Sequence, residues 1–268
     1  MWEDDLEVSS RRKVAWLVGI VAAVALLGAG GYWYRTRHAA PAPAPVPVSV
    51  PAAAESSEGQ IAHPMPGDTG TTALPALNDS DQVAHDSLAG VIGREPVARF
   101  LVPQDIIRHI VVTVDNLPRR KVAIDLRPLK ATPGQTVTAA QGDATVMSPA
   151  NYERYAALVK VIENTDAKSL ALVYQRLYPL FQQSYEDLGY PGKYFNDRLV
   201  EVIDHLLQTP EPAGPLQLTQ PKVFWEYADP ELEQRSAGQR LLLRMGPENE
   251  RAIKAKLREF RAEIVKKN

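Results

Sequence analysis

SPANYERYAALVKVIENTDAKSLALVYQRLYPLFQQSYEDLGYPGKYFNDRLVEVIDHLLQ, residues 148–208, decides the fold. Ser148 suits an N-cap and Pro149 the first helical position, where its missing N–H would be unpaired in any case. Tyr152, Tyr155, Leu158 and Ile162 then form one apolar face at helical spacing. A second helix is predicted from about Ala167 to Leu188, carrying Leu170, Val173, Leu177, Phe181 and Leu188. Pro179 lies inside it and lacks an N–H, so a kink or split is expected there. The turn Gly189-Tyr190-Pro191-Gly192 leads to a third helix from about Lys193 to Leu207, ended by TPEPAGP. Consecutive helices of this kind have to bury their apolar faces on one another, which makes the domain mainly α.

The pattern continues on both sides. Downstream, Pro221 keeps Leu216 to Tyr227 extended, Asp229-Pro230-Glu231 caps another helix, and Gly246-Pro247-Glu248 starts a last one. The face of that last helix is Ile253, Leu257, Phe260 and Ile264. Upstream, Asn78-Asp79-Ser80 opens a short helix through Val91. Gln104 to Leu117 has helical spacing at Ile106, Ile107, Ile110, Val111 and Val114, although its β-branched run also suits a strand. Arg119 to Met147 reads as loop, with a small hairpin from Gln135–Ala139 and Asp143–Met147 around a Gln-Gly turn. The expected fold class for residues 76–268 is therefore a mainly α soluble domain with one or two short β elements. Its roughly 190 residues are enough for a real core.

Ahead of the domain stands VAWLVGIVAAVALLGAGGYWY, Val14 to Tyr34, with no charged side chain. At ~1.5 Å per residue it matches a hydrocarbon core of about 30 Å. Trp16 at one end and Tyr32, Trp33 and Tyr34 at the other resemble interfacial aromatic belts. A cleaved signal peptide fits less well, because the start is acidic (Glu3, Asp4, Asp5, Glu7) and the apolar run is too long. Arg11, Arg12 and Lys13 outnumber Arg35 and Arg37 by one, which favours residues 1–13 in the cytoplasm and the large domain outside it. Residues 35–75 form the linker. APAPAPVPVSVP (Ala40 to Pro51) should be polyproline II, and the small polar residues after it should be flexible. The expected partner of residues 14–34 is a lipid bilayer. The absence of cysteine permits an oxidising compartment without demonstrating one.

Charge argues against nucleic acid. The chain holds 30 Lys+Arg and 32 Asp+Glu. The first 40 residues take five and four of these, leaving 25 and 28 for the remainder. A phosphate-binding surface needs a basic excess. No GxSxG, Walker, dinucleotide or HExxH motif occurs, so no cofactor or metal is expected and no catalytic residue is nominated.

The densest polar constellation is on the third helix. Phe195, Leu199, Val202, Ile203 and Leu206 point one way at ~100° per residue, while Asp197, Glu201 and Asp204 share the far side, flanked by Arg198 and His205. Glu201 and His205 are neighbours one turn apart. With Tyr194 and Asn196 beside the turn, these seven residues are the candidate binding set. One reading is acid/base or divalent-metal chemistry; the other, commoner for such faces, is a solvated surface with weak ion pairs. Tyr174, Tyr178, Tyr185, Tyr190, Tyr194 and Phe195 suit either sugar or peptide binding or half-buried core. Phe224, Trp225 and Tyr227 are expected at a sheet edge, which can accept a partner strand.

Tyr174 to Pro212, PKVFWEYADPELE (Pro221 to Glu233) and SAGQRLLLRMGPENERAIKAKLRE (Ser236 to Glu259) resemble the bacterial domain-of-unknown-function family numbered 3014. LPALNDSD (Leu74 to Asp81) and VDNLPRRKVAIDLRPL (Val114 to Leu129) fit it as well. The resemblance implies a single-pass protein of Gram-negative bacteria with a Pro/Ala-rich linker, and brings no activity or site residue with it. The expected role is a non-catalytic binding or scaffold module of the cell envelope, anchored in the inner membrane with its domain in the periplasm. Its partner would be an envelope protein or wall polymer. The alternative is an envelope enzyme using the face from Asp197 to His205.

Overall fold

The computed structural model describes residues 61–65 and 73–266. The expected membrane span at 14–34 and most of the linker lie outside these residues. No helix among the described residues is long and apolar enough to cross a membrane.

Helices α1 (Asp81–Ile92), α2 (Arg94–Phe100) and α3 (Ile106–Asn116) come first, then strands β1 (Thr138–Gln141) and β2 (Ala144–Met147). The helices α4 (Pro149–Asn164), α5 (Ala167–Asp187) and α6 (Phe195–Leu207) follow. Strands β3 (Gln217–Thr219) and β4 (Glu226–Tyr227) precede α7 (Pro230–Glu233), α8 (Ala237–Met245) and α9 (Pro247–Ile264). The domain is mainly helical with one small antiparallel sheet, ordered β1-β2-β3-β4. β1 and β2 pair as a hairpin where one was expected, but β1 starts three residues later than Gln135 and takes in Gln141, opposite Ala144, so the turn is Gly142-Asp143.

The main core gathers Ile106, Ile107 and Val111 of α3, Leu177 and Phe181 of α5, and Phe195 and Ile203 of α6. α9 lies across α4, α5, α6 and α8. A second cluster joins Tyr155 and Val159 of α4 to Val202 and Leu206 of α6 and Leu242 and Met245 of α8. One face of the sheet covers α8, with Met147, Leu216, Leu218 and Tyr227 around Leu243. α6 thus feeds two cores and fixes the positions of the residues on its flanks.

Local chemistry explains most boundaries. Ser148 accepts from Ala150 N and caps α4, as its sequence predicts. Asp166 caps α5 through Ser169 N at 2.7 Å. The β-branched run of α3 stays helical because Ile106, Ile107 and Val111 are buried at helical spacing. Its first turn is held by Asp81, whose carboxylate accepts from Asp105 N and Ile106 N at 2.9 Å each.

Four elements differ from the expectation. α5 is one unbroken helix through Pro179. Pro179 is exposed, so the carbonyl it leaves unpaired can turn to water, while Leu177, Tyr178, Leu180 and Phe181 around it are buried. The single helix expected after Asp229 is two, because Ser236 opens a new N-terminus by accepting from Gln239 N. α2 has no counterpart in the sequence reading, since Gly93 and Pro96 there look like breakers; Pro96 falls in the first turn, where no N–H is missed. The extended segment at 216–227 forms two strands of a four-stranded sheet, more than the one or two β elements anticipated.

Candidate functional site

The seven residues nominated on α6 divide among four environments. Tyr194, Asn196 and Asp197 come together at its N-terminal end, against residues 61–65. Asp197 accepts from the main-chain N–H groups of Ala62 and His63 at 3.0 and 2.7 Å. Asn196 is fully buried and bonds into the core through the Tyr174 hydroxyl and the Ile264 carbonyl. Residues 61–65 belong to the stretch read from sequence as linker, and here they rest on the helix.

Arg198 turns the other way. Its Nε donates to Asp115 Oδ1 at 3.2 Å, its Nη2 to the Asp115 carbonyl at 3.0 Å, and its Nη1 lies 2.9 Å from Glu201. Glu201 itself is mostly exposed. Asp204 takes a forked pair from Arg261, at 2.6 and 2.8 Å, which raises the Arg261 pKa. His205 Nε2 lies 2.8 Å from Ser236 Oγ at the start of α8. Burial lowers the His205 pKa below 6.5, so its ring is neutral at pH 7. The acidic residues and the histidine therefore do not converge on one point. Among the described residues no cluster of three or more His, Asp or Glu side chains is placed to hold a metal ion.

The tightest polar knot centres on Asp115, which the sequence reading did not single out. Its side chain is 3 % exposed. It receives Arg198, Arg119 Nη2 at 2.5 Å and the Tyr190 hydroxyl at 3.2 Å. The signal was present: one carboxylate inside the apolar run of α3 can be buried only with cationic partners. Burial, followed by the nearby Asp115 charge, pushes the Tyr185 phenol up to about 12.

Beside this knot lies an open cleft of about 700 Å³, lined by Asn116, Arg119, Arg120, Lys121, Glu233 and Arg240. Arg119 is bound to Asp115, and Arg240 pairs with Glu233 and donates to the Arg120 carbonyl. This lining offers charge and hydrogen bonds, with four cationic side chains and one carboxylate among its six residues.

Four of the six nominated aromatic residues are core, while Tyr190 and Tyr194 are only partly buried. Tyr174, Tyr178, Tyr185 and Phe195 are buried, and Tyr185 stacks on Tyr190 with centroids 4.6 Å apart. The expected edge is present as well, since β4 ends the sheet. Its backbone is already engaged by side chains: Tyr227 N donates to Glu233 at 2.9 Å, and Arg244 donates to the Trp225 carbonyl at 3.0 Å. Added pairing with a partner strand would have to displace both. In the turn between β3 and β4, Val223 and Phe224 stand 76 % and 80 % exposed.

Residues 106–261 match the family described as Protein of unknown function (DUF3014). The chain belongs to this family. No curated protein and no solved structure is detectably similar to it. The DUF3014 stretch begins with α3 and ends within α9, so it includes the Asp115 knot, the basic cleft and the Val223–Phe224 turn. Residues 61–65, α1 and α2 precede it.

Proposed function

We propose that this chain is a non-catalytic binding module of the bacterial cell envelope, held to the inner membrane through residues 14–34 with its helical domain in the periplasm. It docks an apolar pocket of a partner protein through the turn between β3 and β4. The observation that carries this reading is the pair Val223 and Phe224, adjacent and both more than three-quarters exposed. Leaving a large apolar side chain in water forgoes roughly 2 kcal/mol of burial. Aromatic anchors of this kind carry much of the energy at interfaces.

The turn is a firm platform. Tyr227 and Leu218 at its base are buried on α8, and Gln220 Nε2 bonds the Val223 carbonyl at 2.9 Å. On the α6 face, Arg198, Asp204 and His205 are each taken up by a partner within the fold, which weighs against acid/base chemistry there.

A photo-crosslinking side chain at position 224 of the full chain, expressed in cells, tests the reading. A discrete adduct is expected that disappears with Val223→Ser and is absent when the probe sits at exposed Glu153. Equal labelling from both positions would overturn it. A reporter active only outside the cytoplasm, fused after Asn268, tests the orientation separately.

A further inference from the structure

The contact between residues 61–65 and α6 is almost wholly main-chain on one side. Asp197 Oδ2 accepts from Ala62 N at 3.0 Å and Oδ1 from His63 N at 2.7 Å. Asn196 Nδ2 donates to the His63 carbonyl at 2.9 Å. The Tyr194 hydroxyl accepts from Met65 N at 2.7 Å. Three amides and one carbonyl are thus read in five residues. The residue between the engaged amides is Pro64, which has no N–H to offer, so the segment loses nothing at that position.

Two side chains of the segment, those of His63 and Met65, are partly buried. Ile61, Ala62 and Pro64 are exposed, whereas Met65 packs against the main core. The receiving groups are rigid and built into the fold. Asn196 Oδ1 accepts from the Tyr174 hydroxyl at 3.2 Å, its Nδ2 also donates to the Ile264 carbonyl at 3.3 Å, and its N–H donates to the Tyr178 hydroxyl at 3.3 Å. Tyr178 and Tyr194 pack with ring centroids 5.2 Å apart, which fixes the Tyr194 hydroxyl. A carboxylate with both oxygens aimed at successive amides, beside a buried carboxamide and an oriented phenol, is chemistry that recognises a backbone bent so that neighbouring N–H groups face the same way, as it is at Ala62 and His63. None of these bonds depends on the segment being covalently part of the chain.

We propose that Tyr194, Asn196 and Asp197 form a binding site for a bent peptide main chain, filled in cis by residues 61–65 and open to a competing segment once that strap lifts. Its ligand class is a short peptide that bends at two successive free amides, followed by a position that tolerates proline and then an apolar side chain. The inference stands apart from the Phe224 reading, on a different surface and different residues. The strap's covalent link gives it a millimolar-range effective concentration, so a free peptide competes poorly until the strap is weakened.

The test uses the full chain in detergent micelles. Amide hydrogen exchange should show Ala62, His63 and Met65 protected in the natural chain and unprotected in Asp197→Ala. His63→Pro removes one donor of the strap and leaves every residue of the helical core in place. A labelled peptide GQIAHPMPG, the sequence of residues 59–67, should bind the His63→Pro chain at least about tenfold more tightly than the natural chain. It should not bind the His63→Pro, Asp197→Ala chain. Amides at 61–65 that exchange as in an unstructured peptide would overturn the proposal. So would a peptide that binds all three chains alike, or one that fails to bind the His63→Pro chain.

Discussion

Arg198 of α6 grips Asp115 of α3 twice, through the carboxylate at 3.2 Å and the main-chain carbonyl at 3.0 Å. With Asp115 3 % exposed, this guanidinium and that of Arg119, 2.5 Å away, keep the carboxylate paired inside the helical core. Arg198→Met should destabilise the domain by about 1–3 kcal/mol, because it removes one of two cationic partners from a buried carboxylate and leaves the Asp115 carbonyl without its donor. Arg198→Lys should recover little of that, since a single ammonium lacks the spaced donors with which the guanidinium reaches the carboxylate and the main-chain carbonyl together. Urea unfolding of the three chains checks both, and a Lys variant as stable as the natural chain would discount the fork.

Lys254 and Glu250, one turn apart on α9, are 2.7 Å apart and almost completely buried. Lys254 Nζ also donates to the Thr209 carbonyl at 2.6 Å. Lys254→Met removes the counter-charge and should cost about 3 kcal/mol at pH 7. Burial already raises the Glu250 pKa above its ordinary 4.5, and loss of Lys254 raises it further. A raised folded-state pKa means the carboxyl is tolerated while protonated and becomes a burden as pH rises through that pKa. The stability gap between the natural chain and Lys254→Met should therefore narrow from pH 7 towards pH 5. Thermal melts at both values test it; a gap independent of pH would count against a stranded Glu250 charge.

His205 carries the opposite dependence. Burial places its folded pKa below the unfolded 6.5, so the folded state favours the neutral ring. Stability from this source is complete above the unfolded pKa and is lost as pH falls through the folded one. The NMR titration of the His205 ring should have its midpoint below 6.5. The stability advantage of the natural chain over His205→Gln should shrink on acidification. Ser236→Ala, which removes the α8 N-cap, should cost about 1 kcal/mol across that range.

The helices were legible where a local rule acts alone. Ser148-Pro149, Asp229-Pro230 and Gly246-Pro247 each start a helix by chemistry confined to two or three neighbouring residues. Pro179 shows the limit: a breaker read locally is overruled when the residues on both sides of it are buried. The α6 face was visible as a cluster of charge, but its partners were not. Asp204 meets Arg261 and Arg198 meets Asp115 only because α9 and α3 pack on α6 at a particular rotation, which no single helix's periodicity encodes. For the same reason residues 61–65 read as featureless: their bonds are made by main-chain groups, and any segment able to bend at that distance from a proline would carry the same signal.

Gly246 joins α8 to α9 with φ +87°, a conformation that side-chain-bearing residues rarely adopt. A Cβ there would lie 2.4 Å from Tyr152 Cγ and 2.6 Å from both Cδ atoms of its ring. Gly246→Ala thus incurs two penalties, about 1–2 kcal/mol for the backbone and about 1–3 kcal/mol for overpacking. Together they should destabilise the domain by roughly 2–5 kcal/mol. The two can be separated because the ring is the obstacle only to the added methyl. In a Tyr152→Ala background the same substitution should cost only the backbone part. The double-mutant cycle should therefore show coupling of at least about 1 kcal/mol. Strict additivity in urea unfolding would mean that Tyr152 does not pack over Gly246 in solution.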